Sequence, residues 1–221
     1  METDPLVLAT YALVIATTLL VVATAIPAVQ RAKDVKASRA ATAARLVPDM
    51  NILHSRLNGT VRRLVRKTTL SLDELDALLD DVHDSMELAG RLKKDCYNVG
   101  LKFANEIYVT LHFMTAAASD LCVLAREAET DTGGRSRHDL ARLESARHST
   151  PGAISKEARI SKMCAYYVAA EISLTAAEDL MPASTRTVDQ KSFWDRYTAI
   201  VDEREKESEK ALVDLRASHS R

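Results

Sequence analysis

The chain has 221 residues, 47% of them hydrophobic and 28% charged, with 30 basic against 31 acidic side chains and a formal net charge of −1. That apolar content excludes a disordered polyelectrolyte. The near-neutral balance, with no aromatic residues set among the basic ones as stacking platforms, excludes a nucleic-acid binder. Only six glycines are present, at 59, 90, 100, 133, 134 and 152, so no P-loop, dinucleotide fingerprint or G-x-S-x-G elbow can be written.

Residues 5–30 carry no charged side chain. At about 1.5 Å per residue a helix of that length crosses a hydrocarbon core of about 30 Å. Three readings compete: a membrane span, a cleaved signal, and a buried helix of a soluble domain. A signal starts basic, whereas Glu2 and Asp4 precede this run and Arg31 follows it, although Ala23-Thr24-Ala25 imitates a cleavage site. A soluble core helix would carry a polar stripe. The polar side chains here are Thr10, Tyr11, Thr17, Thr18, Thr24 and Gln30, and helical threonines can satisfy their hydroxyls on the preceding turn. Residues 1–30 are therefore read as a transmembrane anchor that crosses once.

Orientation follows from the basic residues behind the span, Arg31, Lys33, Lys36, Arg39 and Arg45, set against Asp34 and Asp49. Such residues are retained on the cytosolic or matrix-like side, which puts the N-terminus outside and the bulk of the chain inside. Cys96, Cys122 and Cys164, odd in number and widely spaced, fit reduced thiols in that compartment. Asn58-Gly59-Thr60 is a glycosylation acceptor that this topology leaves unused.

Residues 31–70 form a basic juxtamembrane amphipathic segment in which Leu46, Met50, Leu53, Leu57, Val61 and Leu64 recur at helical spacing. Pro48 suits an early helical position and Asn58-Gly59 marks a weak point. Arg56, Arg62, Arg63, Arg66 and Lys67 are expected to face anionic lipid or a partner. Residues 71–130 open on a Ser71/Glu74 capping box and read as one long helix or as a hairpin broken at Asn98-Val99-Gly100. Residues 107–119, free of acidic and basic side chains but too short to span, read as core. Residues 131–154 read as a flexible linker with a short helix within 138–147. Residues 155–221 supply two further helices. In the second, Phe193, Trp194, Tyr197, Ile200 and Val201 are expected to be buried, and the part beyond Arg204 is expected to project or fray.

Chemistry is sparse. Asp80-Asp81-Val82-His83-Asp84 resembles the D-D-x-x-D motif by which all-helical isoprenoid synthases hold magnesium on a diphosphate. The resemblance implies Asp80, Asp81 and Asp84 as metal and catalytic residues of an enzyme acting on a phosphorylated lipid. Two departures oppose it. Leu75, Leu79, Val82 and Met86 form the apolar stripe of this helix, and the aspartates point away from it. Asp120 and Glu127 have the separation of the second motif, but Val123 stands where a hydroxyl belongs. Glu106, His112 and Glu171 interrupt the two apolar helices and would form a buried polar cluster if those helices pack together.

The expectation is an all-α protein: one N-terminal transmembrane helix followed by a helical bundle or coiled-coil-like domain of about four to five helices. Its expected role is that of a membrane-anchored scaffold, adaptor or accessory subunit working through protein partners or self-association, with anionic lipid as a further contact and no cofactor. The alternatives are the metal-dependent enzyme, through Asp80 and Asp84, and a membrane-linked sensor signalled by lipid or by another membrane protein.

Overall fold

The computed structural model describes residues 5–144, 154–180 and 190–219. Among these residues there is no strand, and the chain is all-α: α1 (Pro5–Leu64), α2 (Leu72–Val99), α3 (Leu101–Thr132), α4 (Leu140–Glu144), α5 (Lys156–Leu180) and α6 (Gln190–His219). Contacts divide it into two units, Met1–Ala41 and Thr42–Arg221.

The first unit is the leading part of α1. Leu13, Leu19, Leu20 and Val21 are 69%, 64%, 65% and 59% exposed. Thr17 and Thr18 donate to the carbonyls of Leu13 and Val14 at 2.7 Å, and Thr24 to that of Leu20 at 2.9 Å, so these hydroxyls are satisfied within the helix. The helix is long and apolar enough to cross a membrane.

The second unit is built on amphipathic stripes. On α1, Leu46, Met50, Leu53, Leu57, Val61 and Leu64 are all at most 5% exposed, the face their spacing predicts. The helix runs without interruption through Pro48 and Asn58-Gly59, so neither breaks it. A proline removes one i→i−4 bond, but Pro48 and Ala44, whose carbonyl is freed, both lie on the exposed side, where water can serve that carbonyl. A Cβ on Gly59 would meet nothing within 4 Å, so no close packing requires the glycine.

A short connection leads to α2, which starts on a complete capping box: the Ser71 hydroxyl accepts from the Glu74 amide, and the Glu74 carboxylate accepts from the Ser71 amide at 2.9 Å. At Gly100 the chain turns into α3, so residues 71–130 form a hairpin of two packed helices. The window of α3 that passes for a membrane span by length and hydropathy is 72% buried, which makes it a core helix. Gly133 ends α3 at φ 66°, a left-handed cap that favours glycine, and its amide donates to the Glu129 carbonyl. At Gly134 a Cβ would come within 2.9 Å of the Leu72 side chain, so the loop passes close to the start of α2.

Helices α1, α2, α3 and α5 alternate in direction. Arg45 pairs with Asp95 and Lys67 with Glu74 across α1 and α2, while Asp120 meets Arg159 and Thr110 reaches Ala170 across α3 and α5. One apolar core joins them, and α6 packs on α3 and α5.

Two expectations for α6 are corrected. Of the five residues expected to be buried only Phe193 is; Tyr197, Ile200 and Val201 are partly buried, and Trp194, 55% exposed, meets Tyr108, Phe193 and Tyr197 edge-on at the rim of the core. Beyond Arg204 the helix does not project, because Ser208 and Leu212 are 1% and 5% exposed and Arg216 donates to Ser161 of α5 at 3.0 Å. In the expected linker, α4 falls inside the anticipated helical stretch, and residues 145–153 lie outside the described residues, as do Pro182 and Thr187.

Leu57→Ala, which removes a side chain 1% exposed, is expected to lower unfolding stability by about 2–5 kcal/mol in a denaturant titration of the full chain in detergent. Ile52→Ala, at a position 46% exposed, is expected to stay within about 0.5 kcal/mol.

Candidate functional site

The basic residues from Arg56 to Lys67 and the acidic residues from Glu74 to Asp84 prove to be the two sides of one helix pair. Arg56 meets Asp84 at 2.9 Å, Arg63 meets Asp81, and Lys67 meets Glu74 at 2.8 Å. Antiparallel packing of α1 on α2 brings the two runs into register, so their charges are matched within the chain. Each pair is partly exposed, and such pairs contribute about 0–1 kcal/mol, which favours a role in register over one in stability. Of the five cations expected to face lipid or a partner, Arg62 and Arg66 remain outside this ladder.

The D-D-x-x-D aspartates are engaged in the same way. Asp81 and Asp84 are taken by arginines of α1, and Asp80 accepts from Arg137 at 3.1 Å with His138 at 3.3 Å. Among the described residues no three His, Cys, Asp or Glu side chains converge as a metal site would require. Asp120, half of the second motif, is buried against Arg159 at 2.8 Å, and Val123 is buried beside it in sequence.

Glu106, His112 and Glu171 are each given a partner of their own. Glu106 accepts from Arg204 of α6 at 3.1 Å, the His112 ring nitrogen lies 2.9 Å from the Tyr197 hydroxyl, and Glu171 lies 3.4 Å from His54 of α1. The expected single cluster is therefore three separate links tying α3 to α6 and α5 to α1. Burial pushes the Glu106 and Glu171 carboxyls above their ordinary range, and Arg204 and His54 respectively offset part of that. His54 also approaches Glu178 at 3.5 Å, one carboxylate on either side of the ring.

Four polar residues escaped the sequence reading: His54, Asp76, Arg159 and Arg204. Asp76, only 3% exposed, accepts from the Ser136 hydroxyl at 2.6 Å and the Arg137 amide at 3.1 Å. Burial alone would raise its pKa, yet these two hydrogen bonds and the nearby His138 and Arg137 together outweigh it and hold the carboxyl below its ordinary range. They also pin the loop after α3 to the start of α2, which a flexible linker would not show. All four residues share one signal. Each occupies a stripe position: His54 between Met50 and Leu57, Asp76 between Leu72 and Leu79, Arg159 four before Met163, and Arg204 four after Ile200. A polar residue on an apolar stripe announces a link to another segment, although its partner cannot be read from its own helix.

The cysteines offer no nucleophile. All three are free and buried, and burial pushes the Cys96 thiol up to about 12 and that of Cys164 up to about 11.

No family model matches this chain, and no curated protein or solved structure matches it either.

The buried Asp120–Arg159 pair and the half-exposed Glu74–Lys67 pair lead to different expectations. Asp120→Ala leaves a buried guanidinium unpaired and is expected to lower the urea midpoint by the equivalent of about 3–5 kcal/mol, whereas the double change Asp120→Leu with Arg159→Met should recover most of the loss. At Glu74, Lys67 and the Ser71 amide lower the carboxyl from 4.5 to about 2. The contribution of Glu74 is therefore complete above about pH 4.5 and disappears as pH falls towards 2. Thermal unfolding across that window should show a smaller fall in Tm for Glu74→Gln than for the wild type.

Proposed function

We propose that this protein is a single-pass membrane-anchored scaffold, adaptor or accessory subunit whose helical bundle acts through protein–protein contacts. One observation carries the reading: an 18-residue window near the N-terminus, with mean hydropathy 2.1, contains no buried residue, whereas the corresponding window of α3 is 72% buried. A fully buried Leu, Val or Ile gains about 1.5–3 kcal/mol over an exposed one, so a run of uncovered apolar side chains belongs in hydrocarbon rather than in water.

Arg31, Lys33, Lys36 and Arg39, against Asp34 alone, follow the span directly and support an outside N-terminus with the bundle inside. Headgroup contact beside the span falls to these four residues, while Arg56, Arg63 and Lys67 are matched within the bundle. Tethering would raise the effective concentration of the bundle for a partner on the same membrane. The bundle suits that work because Asp81, Asp84, Glu106 and Asp120 are committed to cations of neighbouring helices, which favours a rigid surface over a reaction centre.

Because the native cysteines are buried, a cysteine introduced at exposed Ser55 reports topology. Ser55→Cys is expected to resist a membrane-impermeant maleimide in intact cells, to react after permeabilisation, and to stay with membranes through an alkaline carbonate wash. Labelling in intact cells would reverse the orientation, and release by carbonate would remove the anchor. Crosslinking in the membrane should capture a partner that is lost when residues 1–41 are replaced by a soluble tag; a chain that remains monomeric and uncrosslinked would dismiss the scaffold.

A further inference from the structure

The end of α1 carries cations that the α1–α2 ladder leaves over. Arg63 and Lys67 are paired with α2, whereas Arg62 and Arg66, one turn apart, line a cleft that also involves Glu171 of α5 and Leu215 of α6. Arg66 has no hydrogen bond or ion pair among the described residues. It also lines, with Lys67, Thr68, Ser161 and Arg216, an adjoining cleft of about 510 Å³, a volume suited to a small ligand. Arg216 donates to the Ser161 hydroxyl at 3.0 Å, which holds a guanidinium in the wall. The one carboxylate in that wall, Glu157, is held below the usual carboxylate range by its own amide and Ser155 and so keeps its charge, but Arg66, Lys67 and Arg216 outnumber it.

We propose that this cleft binds a phosphate-bearing anion through Arg66, Lys67 and Arg216. Guanidinium groups present forked donors that match phosphate oxygens two at a time, and the Thr68 and Ser161 hydroxyls add neutral donors at the same wall. Helix α5 begins here and directs the positive end of its dipole to this region. Lys67 is shared with Glu74, so a ligand gains from it only by outcompeting a carboxylate. A phosphate ester, with about −1.5 to −2 charge near neutral pH, does so where a second carboxylate would not. The neighbouring cleft of about 520 Å³, which shares Arg66 and adds Arg62 and Asn58, leaves room for the remainder of the ligand. The proposal does not depend on how the first part of α1 is anchored.

The test uses the full chain in phosphatidylcholine nanodiscs with pyrophosphate as the probe. At about ten times its Kd, pyrophosphate is expected to raise Tm by about 3–6 °C, and the Arg66→Gln/Arg216→Gln double variant should lose that shift while Arg91→Gln keeps it. Replacing part of the phosphatidylcholine by phosphatidic acid separates the sources: a variant-sensitive rise without pyrophosphate assigns the site to a lipid headgroup, and a rise with pyrophosphate alone assigns it to a soluble phosphate. No shift from either probe, an equal shift in the double variant, or an equal shift from citrate would overturn the proposal. If the double variant does not fold, phosphorus NMR of pyrophosphate with the wild-type chain decides, since binding broadens its resonance and no broadening refutes the site.

Discussion

The bundle depends on the seating of one apolar stripe. Leu46, Met50, Leu53, Leu57, Val61 and Leu64 place α1 against the other helices, and each is nearly or wholly withdrawn from solvent. At about 1.5–3 kcal/mol per buried large aliphatic side chain, this single face outweighs every ion pair in the molecule. Removing it would open the core on the sides of α2 and α5, which meet α1 through Asp81, Asp84 and Glu171. The first unit of the chain uses the same helix in the opposite way, with its apolar side chains uncovered.

Polar interactions in the bundle specify more than they stabilise. The half-exposed ladder from Arg45 to Lys67 sits where water and salt weaken it, but its spacing is satisfied by only one antiparallel register of α1 on α2. Buried pairs such as Asp120–Arg159 and Glu106–Arg204 come closer to break-even against apolar replacements and are costly only when half of one is removed. Each links two helices far apart in sequence. Together with the Asp76 bonds to the loop after α3, they tie the helix ends and crossings that non-directional apolar packing leaves free to slide.

These same commitments shape the functional reading. A reaction centre needs titratable groups gathered in a cleft with unshared valences, and here the aspartates of the D-D-x-x-D run are each engaged by a cation. Two groups of side chains stand apart from these pairs: the exposed apolar run of the first unit, and Arg62 and Arg66 at the end of α1 and in the turn after it. The first favours attachment to a bilayer and the second favours recognition of an anion.

Sequence by itself determined the helical class, the buried faces of α1 and α2, the capping box at Ser71 and the apolar run of residues 5–30, because each rests on spacing along one chain segment. The stripe from Leu46 to Leu64 could be written down from period alone, and so could the outward direction of Asp80, Asp81 and Asp84 relative to the apolar face of α2. Only the tertiary structure decided what those outward groups meet. Asp81 and Arg63 are neighbours because two helices run antiparallel at one register, and no local pattern encodes that register. Glu106, His112 and Glu171 looked alike as polar interruptions, yet packing gave each its own partner, Glu106 and His112 on α6 and Glu171 on α1. Periodicity is a property of one helix, whereas a polar partner is a property of two, which is why the faces were legible and the pairings were not.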